Sequence, residues 1–133
     1  MANWWVIDGN NVYGSRPDGW WNDRHRAAAR LAQRVAEWCR THDDSVTLVF
    51  DAPIDDTTLS IAGGNLTIIE APRRGRNAAD DHIVTLVGDR LAEIELDIDD
   101  PISVVTNDRG LQDRLPPGIR IEGVGRFRCR IGY

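Results

Sequence analysis

The sequence predicts an α/β protein with a mostly parallel sheet covered by helices on both sides. Two observations carry that prediction. Short apolar runs alternate with amphipathic helical stretches along the 133 residues, the pattern of strands joined by crossover helices. In addition, three of the apolar runs, Trp4-Trp5-Val6-Ile7, Val46-Thr47-Leu48-Val49-Phe50 and Ile102-Ser103-Val104-Val105-Thr106-Asn107, lead straight into an acid: Asp8, Asp51 and Asp108. Such runs belong to buried strands, and the crevice beyond strand ends is where open α/β sheets bind ligands.

Taken in order, the first strand ends in Asp8-Gly9-Asn10-Asn11, where Gly9 is expected to let the backbone turn tightly. A polar loop follows from Gly14 to Asp23 and carries Arg16 and the pair Trp20-Trp21. The spacing of Ala28, Leu31, Val35 and Trp38 predicts a helix over about Asp23 to His42, with Asn22 or Asp23 as its N-cap. The second strand covers Val46 to Phe50. Asp55 to Ala62 reads as either a helical turn or a strand fragment, and Gly63-Gly64-Asn65 is a turn. Leu66 to Glu70 is the third strand. The basic loop Pro72-Arg73-Arg74-Gly75-Arg76-Asn77 opens a second helix over roughly Ala78 to Leu91, with Ile83, Leu86, Val87 and Leu91 inward. After an Asp-rich loop and the strand from Ile102, Arg109 to Leu115 is a short helix. Ile119 to Val124 alternates and reads as an edge strand, and Arg126 to Tyr133 gives no clear pattern. The whole is expected to form one domain, with no repeat, low-complexity tract or membrane-length apolar run.

The net charge of −5 argues at first against a nucleic-acid partner. Setting aside the candidate site acids Asp8, Asp51, Asp80, Asp81 and Asp108 leaves the chain balanced. Every basic residue is Arg, whose planar fork grips phosphate, although base composition of the genome accounts for the absence of Lys equally well. Cys39 and Cys129 lack metal-ligand spacing and are expected to be reduced thiols in a cytoplasmic protein.

Asp80 and Asp81 open the second helix. One acid there is an ordinary dipole partner, but two beside an Arg-rich loop, close to the edge that carries Asp8 and Asp108, require more. Converging carboxylates repel one another unless a cation joins them. All-oxygen donors suit Mg²⁺ or Mn²⁺, which can activate water for phosphodiester hydrolysis. Asp51, before Ala52-Pro53, divides evenly between ligand and turn residue. Asn11 is placed either to hydrogen-bond Asp8 or a metal-bound water, or to close an Asx turn. Arg73, Arg74 and Arg76, extended by Arg16, Arg24 and Arg109, would form a basic wall for the phosphates of a phosphodiester substrate. Of Trp20 and Trp21, one at most is expected to stack on a base. His82 is expected on the helix surface, and Asn107 and Asp113 are weaker site candidates.

Four segments in this order resemble the NYN family of PIN-like, metal-dependent ribonucleases, and its YacP-like subgroup in particular. They are Val6-Ile7-Asp8-Gly9-Asn10-Asn11-Val12, Val49-Phe50-Asp51, Gly75-Arg76-Asn77-Ala78-Ala79-Asp80-Asp81-His82-Ile83 and Val104-Val105-Thr106-Asn107-Asp108-Arg109. The resemblance implies a Rossmann-like three-layer α/β/α sandwich with an acidic Mg²⁺- or Mn²⁺-binding pocket. It matches Asp8, Asn11, Asp80 and Asp108 to the active-site set, Asp51 to the acid after the second strand, and Asp81 to a doubled Asp found in some members. The implied reaction is hydrolysis of single-stranded or structured RNA, in endonuclease mode, by metal-activated water. Many PIN-like enzymes carry a further acid where this chain has Gly110, so the fourth-carboxylate role falls to Asp81 or Asp51.

The alternatives are a catalytically silent RNA-binding module and a toxin ribonuclease of a toxin–antitoxin pair. A small-molecule phosphatase fits less well, because Asn10 stands where the second Asp of its nucleophile pair is needed. A homodimer or a protein partner is left open, and no membrane association is expected.

Overall fold

The computed structural model describes residues 3–16, 19–72, 77–93 and 101–133, apart from the side chains of Trp20 and Glu93. Five strands form one parallel sheet in the order β3-β2-β1-β4-β5: β1 (Trp4–Asp8), β2 (Ser45–Phe50), β3 (Leu66–Glu70), β4 (Ile102–Val105) and β5 (Arg120–Glu122). The direction of winding reverses at β1, which pairs with β2 on one side and β4 on the other. That reversal opens the crevice at the carboxyl edge.

Alternating side chains send each strand's residues to opposite faces. Trp5, Ile7, Leu48, Phe50 and Val105 meet α1 (Gly9–Gly14), α2 (Arg24–Cys39) and α6 (Val124–Ile131). Val6, Val49, Ile102 and Val104 meet α4 (Ala78–Glu93) and α5 (Arg109–Arg114). These two apolar layers are the helix-covered faces that the alternation of elements predicts.

Asp23 caps α2 by accepting the Arg26 N–H at 3.0 Å, and Ala28, Leu31 and Val35 form the buried stripe. Trp38 is half-buried and packs edge-on against Trp5, with ring centroids 5.3 Å apart. The ambiguous stretch after Asp55 is a one-turn helix, α3 (Asp56–Leu59), with Asp55 accepting the Thr58 N–H at 2.9 Å. Both cysteines are free, Cys39 buried and Cys129 exposed. Among the described residues no helix is long and apolar enough to cross a membrane.

Three expectations need correction. Gly9 does not make a separate tight turn: residues 9–14 start α1 directly from Asp8. Gly9 is required there by packing, because a Cβ on it would lie 2.5 Å from Phe50 Cε1 and 2.9 Å from the Val49 carbonyl oxygen. The carboxyl tail is a regular helix, α6, which buries Val124, Phe127 and Ile131 on one face and ends at Gly132 with φ of 73°. Finally, the edge strand is only three residues long, because Gly123 and Val124 already belong to the start of α6.

Candidate active site

Asp8, Asp51, Asp80 and Asp108 lie around the crevice at the carboxyl edge of the sheet. Asp8 ends β1 and is 4% exposed. Its Oδ2 accepts the Thr106 hydroxyl at 3.0 Å. Thr106, fully buried just past β4, also accepts the Asp108 N–H at 3.0 Å on the same hydroxyl oxygen. One side chain thus fixes the spacing between two acids. Asp108 in turn caps α5, its Oδ1 accepting the Leu111 N–H at 3.2 Å.

Asp51, following β2, accepts the Ala79 N–H at 2.8 Å and so docks the first turn of α4 against the sheet edge. That contact delivers Asp80 to the crevice. The Asp80 and Asp108 carboxyls face each other closely enough to share a proton.

The electrostatics follow from this crowding. Burial pushes the Asp8 carboxyl up to about 7, the negative charge of Asp80 pushes in the same direction and Asp51 adds a little; the Thr106 hydroxyl and the Asn11 N–H oppose them. Asp80 is raised to about 6, first by burial, then by the charge of Asp108 and their shared hydrogen bond, and further by Asp51, while Arg114 acts the other way. Like charges held together in a partly dry site stabilise the protonated form of each. Strongly perturbed carboxylates in a crevice mark a site built for chemistry or for a cation.

Three asparagines lace the strand ends together. Asn10 accepts the Asp51 N–H on Oδ1 at 2.8 Å and donates Nδ2 to the Tyr13 hydroxyl at 2.8 Å. Asn11 accepts the Asn107 N–H at 2.8 Å, and Asn107 accepts the Val124 N–H at 2.9 Å. Asn11 therefore spends its side chain on the β4 loop and offers its backbone N–H to Asp8. The sequence singled out Asn11 but not Asn10 or Thr106, and gave Asn107 little weight.

Other candidates lie elsewhere. Asp81 is exposed on the outer side of α4 and pairs with Arg114 at 2.8 Å. His82 is half-buried in a cleft shared with Pro72, Asp81 and Arg114. Arg109 is exposed at the start of α5, and Asp113 is exposed farther along it. Arg16 sets its guanidinium 4.6 Å from the centre of the Tyr133 ring, in a cleft with Arg30 and Arg34. Trp21 is 60% exposed, within the one-turn 3₁₀ helix Trp20–Asn22. Arg73, Arg74 and Arg76 lie outside the described residues, as does the side chain of Trp20. At Gly110 a Cβ would come within 3.2 Å of Asp108 Oδ1, so an acid there would crowd the one already present.

Among the described residues, no three His, Cys, Asp or Glu side chains stand as a ready-made metal cage. The donor chemistry is nevertheless that of a hard cation. The donors are carboxylate oxygens, and Asp8 and Asp80 carry negative charge that their neighbours disfavour.

A parallel sheet wound in this order, with helices on both faces and acids gathered at its reversal, defines a Rossmann-like α/β/α sandwich. Its structure is similar to that of Rae1 (YacP) from Bacillus subtilis, with a TM-score of 0.68 and 20% identity over 99% of this chain and 74% of that one. A single-substitution mutant of the same protein gives 0.67 and 21% over 98% and 75%. The T5 D15 protein, co-crystallised with metal ions, is similar at a TM-score of 0.57 and 9% identity, over 93% of this chain and 55% of that one. No protein-family model and no curated protein sequence matches the chain. The likeness to YacP read from the four sequence segments is thus met at the level of the fold.

Proposed function

We propose that the chain is a metal-dependent ribonuclease that hydrolyses RNA phosphodiester bonds as an endonuclease in the cytoplasm. The observation that carries this reading is the convergence of Asp8, Asp80 and Asp108, with Asp51 behind them, on the crevice where the sheet reverses. Its support is the shared fold with Rae1 (YacP) and with a protein crystallised with metal ions.

Asp8, Asp80 and Asp108 would hold Mg²⁺ or Mn²⁺, which when bound supplies an activated water and neutralises charge on the phosphate. The chain's own groups prepare that site. Thr106 orients Asp8 and the backbone of Asp108 together. Asp51 fixes the start of α4 and so the position of Asp80. Asn11 and Asn107 hold the β4 loop, which keeps Asp108 on the edge. Arg109 and the basic segment 73–76 would receive the phosphates of single-stranded or structured RNA.

The test is cleavage of an end-labelled mixed-sequence RNA with Mn²⁺, Mg²⁺ or EDTA, by wild type and by folded Asp8→Asn and Asp80→Asn. Metal-dependent cutting by wild type alone is the expected result. Equal cutting by all three proteins would mean contamination. RNA binding without cutting would return the chain to the RNA-binding module.

A further inference from the structure

Two adjacent asparagines lie in the first turn of α1, and their side chains reach opposite neighbours of β1. Asn11 accepts the Asn107 N–H beyond β4, whereas Asn10 accepts the Asp51 N–H beyond β2, both at 2.8 Å. The reach of Asn10 follows from the strand register. Asp8 pairs with Val49, so Asn10 and Asp51 each stand two residues past a paired position. Gly9 lets them meet, because only a residue without a Cβ can lie so close to the Val49 carbonyl and the Phe50 ring. The other end of the Asn10 amide is held as well, with Nδ2 donating to the hydroxyl of the buried Tyr13 at 2.8 Å. An amide engaged through both its oxygen and its nitrogen has one orientation, which keeps the oxygen on Asp51.

Asp51 in turn completes the start of α4. A helix is ordinarily capped by the residue before it, in extended backbone, whose side chain accepts the second or third helical N–H. Here that residue is Asn77, whose carbonyl accepts the Asp81 N–H at 2.9 Å but whose backbone is left-handed, at φ of 67°. The acceptor for Ala79, the second residue of the helix, comes instead from beyond β2, as Asp51 Oδ1 at 2.8 Å. A carboxylate acceptor makes this bond stronger than a neutral one. Asp80 is the next residue along, so its place at the crevice is set through Asn10, Asp51 and Ala79 in series.

We propose that Asn10 is a positioning residue for the metal site: it holds Asp51 in the orientation that caps α4, and so sets where Asp80 stands relative to Asp8 and Asp108. Its effect passes through Asp51, with no contact of its own to substrate or metal. The inference rests on the ribonuclease reading for the purpose of the site, while the relay rests on the hydrogen bonds alone.

The first measurement is of amide chemical shifts in metal-free buffer, for wild type, Asn10→Ala and Tyr13→Phe. Asn10→Ala should move the Ala79 amide as well as that of Asp51, and leave in place those of Asn107 and Val124, which belong to the Asn11 arm. Tyr13→Phe loosens Asn10 without removing it and should move the same two amides by less, which keeps the relay readable if Asn10→Ala does not fold. The second measurement is a Mg²⁺ titration followed by amide shifts. Asn10→Ala should weaken the affinity roughly tenfold, the scale on which groups that orient ligands act. In RNA cleavage at saturating Mg²⁺, Asn10→Ala should lower kcat with KM little changed. Added to Asp51→Ala it should cost little more, since both act along one path. An Ala79 amide unmoved in the folded variants, or losses from Asn10 and Asp51 that simply add, overturn the relay and leave the ribonuclease reading standing. A wild type that neither binds Mg²⁺ nor cuts RNA removes the ribonuclease reading, and the Ala79 amide still decides for or against the relay.

Discussion

Thr106 donates its hydroxyl proton to Asp8 at 3.0 Å, across 98 residues of sequence and in a fully buried position. Because the same oxygen receives the Asp108 N–H, removing it takes a partner from both the buried Asp8 carboxylate and the part-buried Asp108 N–H. Thr106→Val keeps the shape and should cost roughly 1–3 kcal/mol. Urea unfolding checks the loss, and Thr106→Ser should recover most of it. A Val variant as stable as wild type would show that the bridge contributes nothing.

Asp8 makes stability depend on pH in an unusual direction. Its folded value of about 7 lies above the ordinary carboxylate value of 3.8, so between those limits the folded state binds the extra proton. Stability is therefore full below about pH 4 and falls as pH rises towards 7. In metal-free buffer Asp8→Asn should be more stable than wild type at pH 8, by up to about 4 kcal/mol, and the two should converge near pH 4. Thermal melts across that range read the effect directly, and parallel curves would contradict it.

A cation that relieves the crowding of Asp8 and Asp80 should reverse that loss. At pH 8, Mg²⁺ or Mn²⁺ should stabilise wild type by about 3 kcal/mol when its concentration is roughly a hundred times Kd. Asp8→Asn and Asp80→Asn should show little of this increment. An equal shift in all three would assign the ion to another place.

Asp51 and Asp81 can be separated by substitution. Asp51 docks α4 through the Ala79 N–H, whereas Asp81 pairs with Arg114 on the exposed side. Asp51→Ala, which removes the acceptor, should lower cleavage by more than roughly tenfold, because small displacements of reacting groups are costly. Asp81→Asn should stay near wild type, since an exposed ion pair contributes about 0–1 kcal/mol. The opposite order would move the fourth carboxylate to Asp81.

The carboxyl helix belongs to the core. Phe127 is fully buried, with its ring 5.4 Å from that of Trp38 and 6.0 Å from that of Trp5. Phe127→Ala should cost about 3–5 kcal/mol, read as a lowered urea midpoint. A loss under about 1 kcal/mol would mean that the helix is only loosely attached.

The acids were legible in the sequence because each follows an apolar run or opens a helix, and such positions need no knowledge of the partner element. Thr106 and Asn10 were not, since their work is done across the sheet by atoms that only the register of β1, β2 and β4 brings together. Asn11 was read as a partner of Asp8 or of a metal-bound water; it meets Asp8 through its backbone N–H, while its side chain serves Asn107. Asp81 was read as a further site acid beside Asp80, but one step along a helix turns a side chain by about 100°. The spacing of Val124, Phe127 and Ile131 did carry a helical signal, obscured by its brevity and by Arg126, Arg128 and Arg130 between them.

The placement of β1 at the centre of the sheet has a consequence for biosynthesis. This strand is made ahead of the other four, yet the neighbour that supplies Thr106 and Asp108 is made about a hundred residues later. A chain halted after β3 would carry Asp8 and Asp51 but neither α4 nor β4. Under the ribonuclease reading, a copy halted or clipped before β4 would be harmless to the RNA around it, and the capacity to cut would arrive only once β4 and Asp108 are in place.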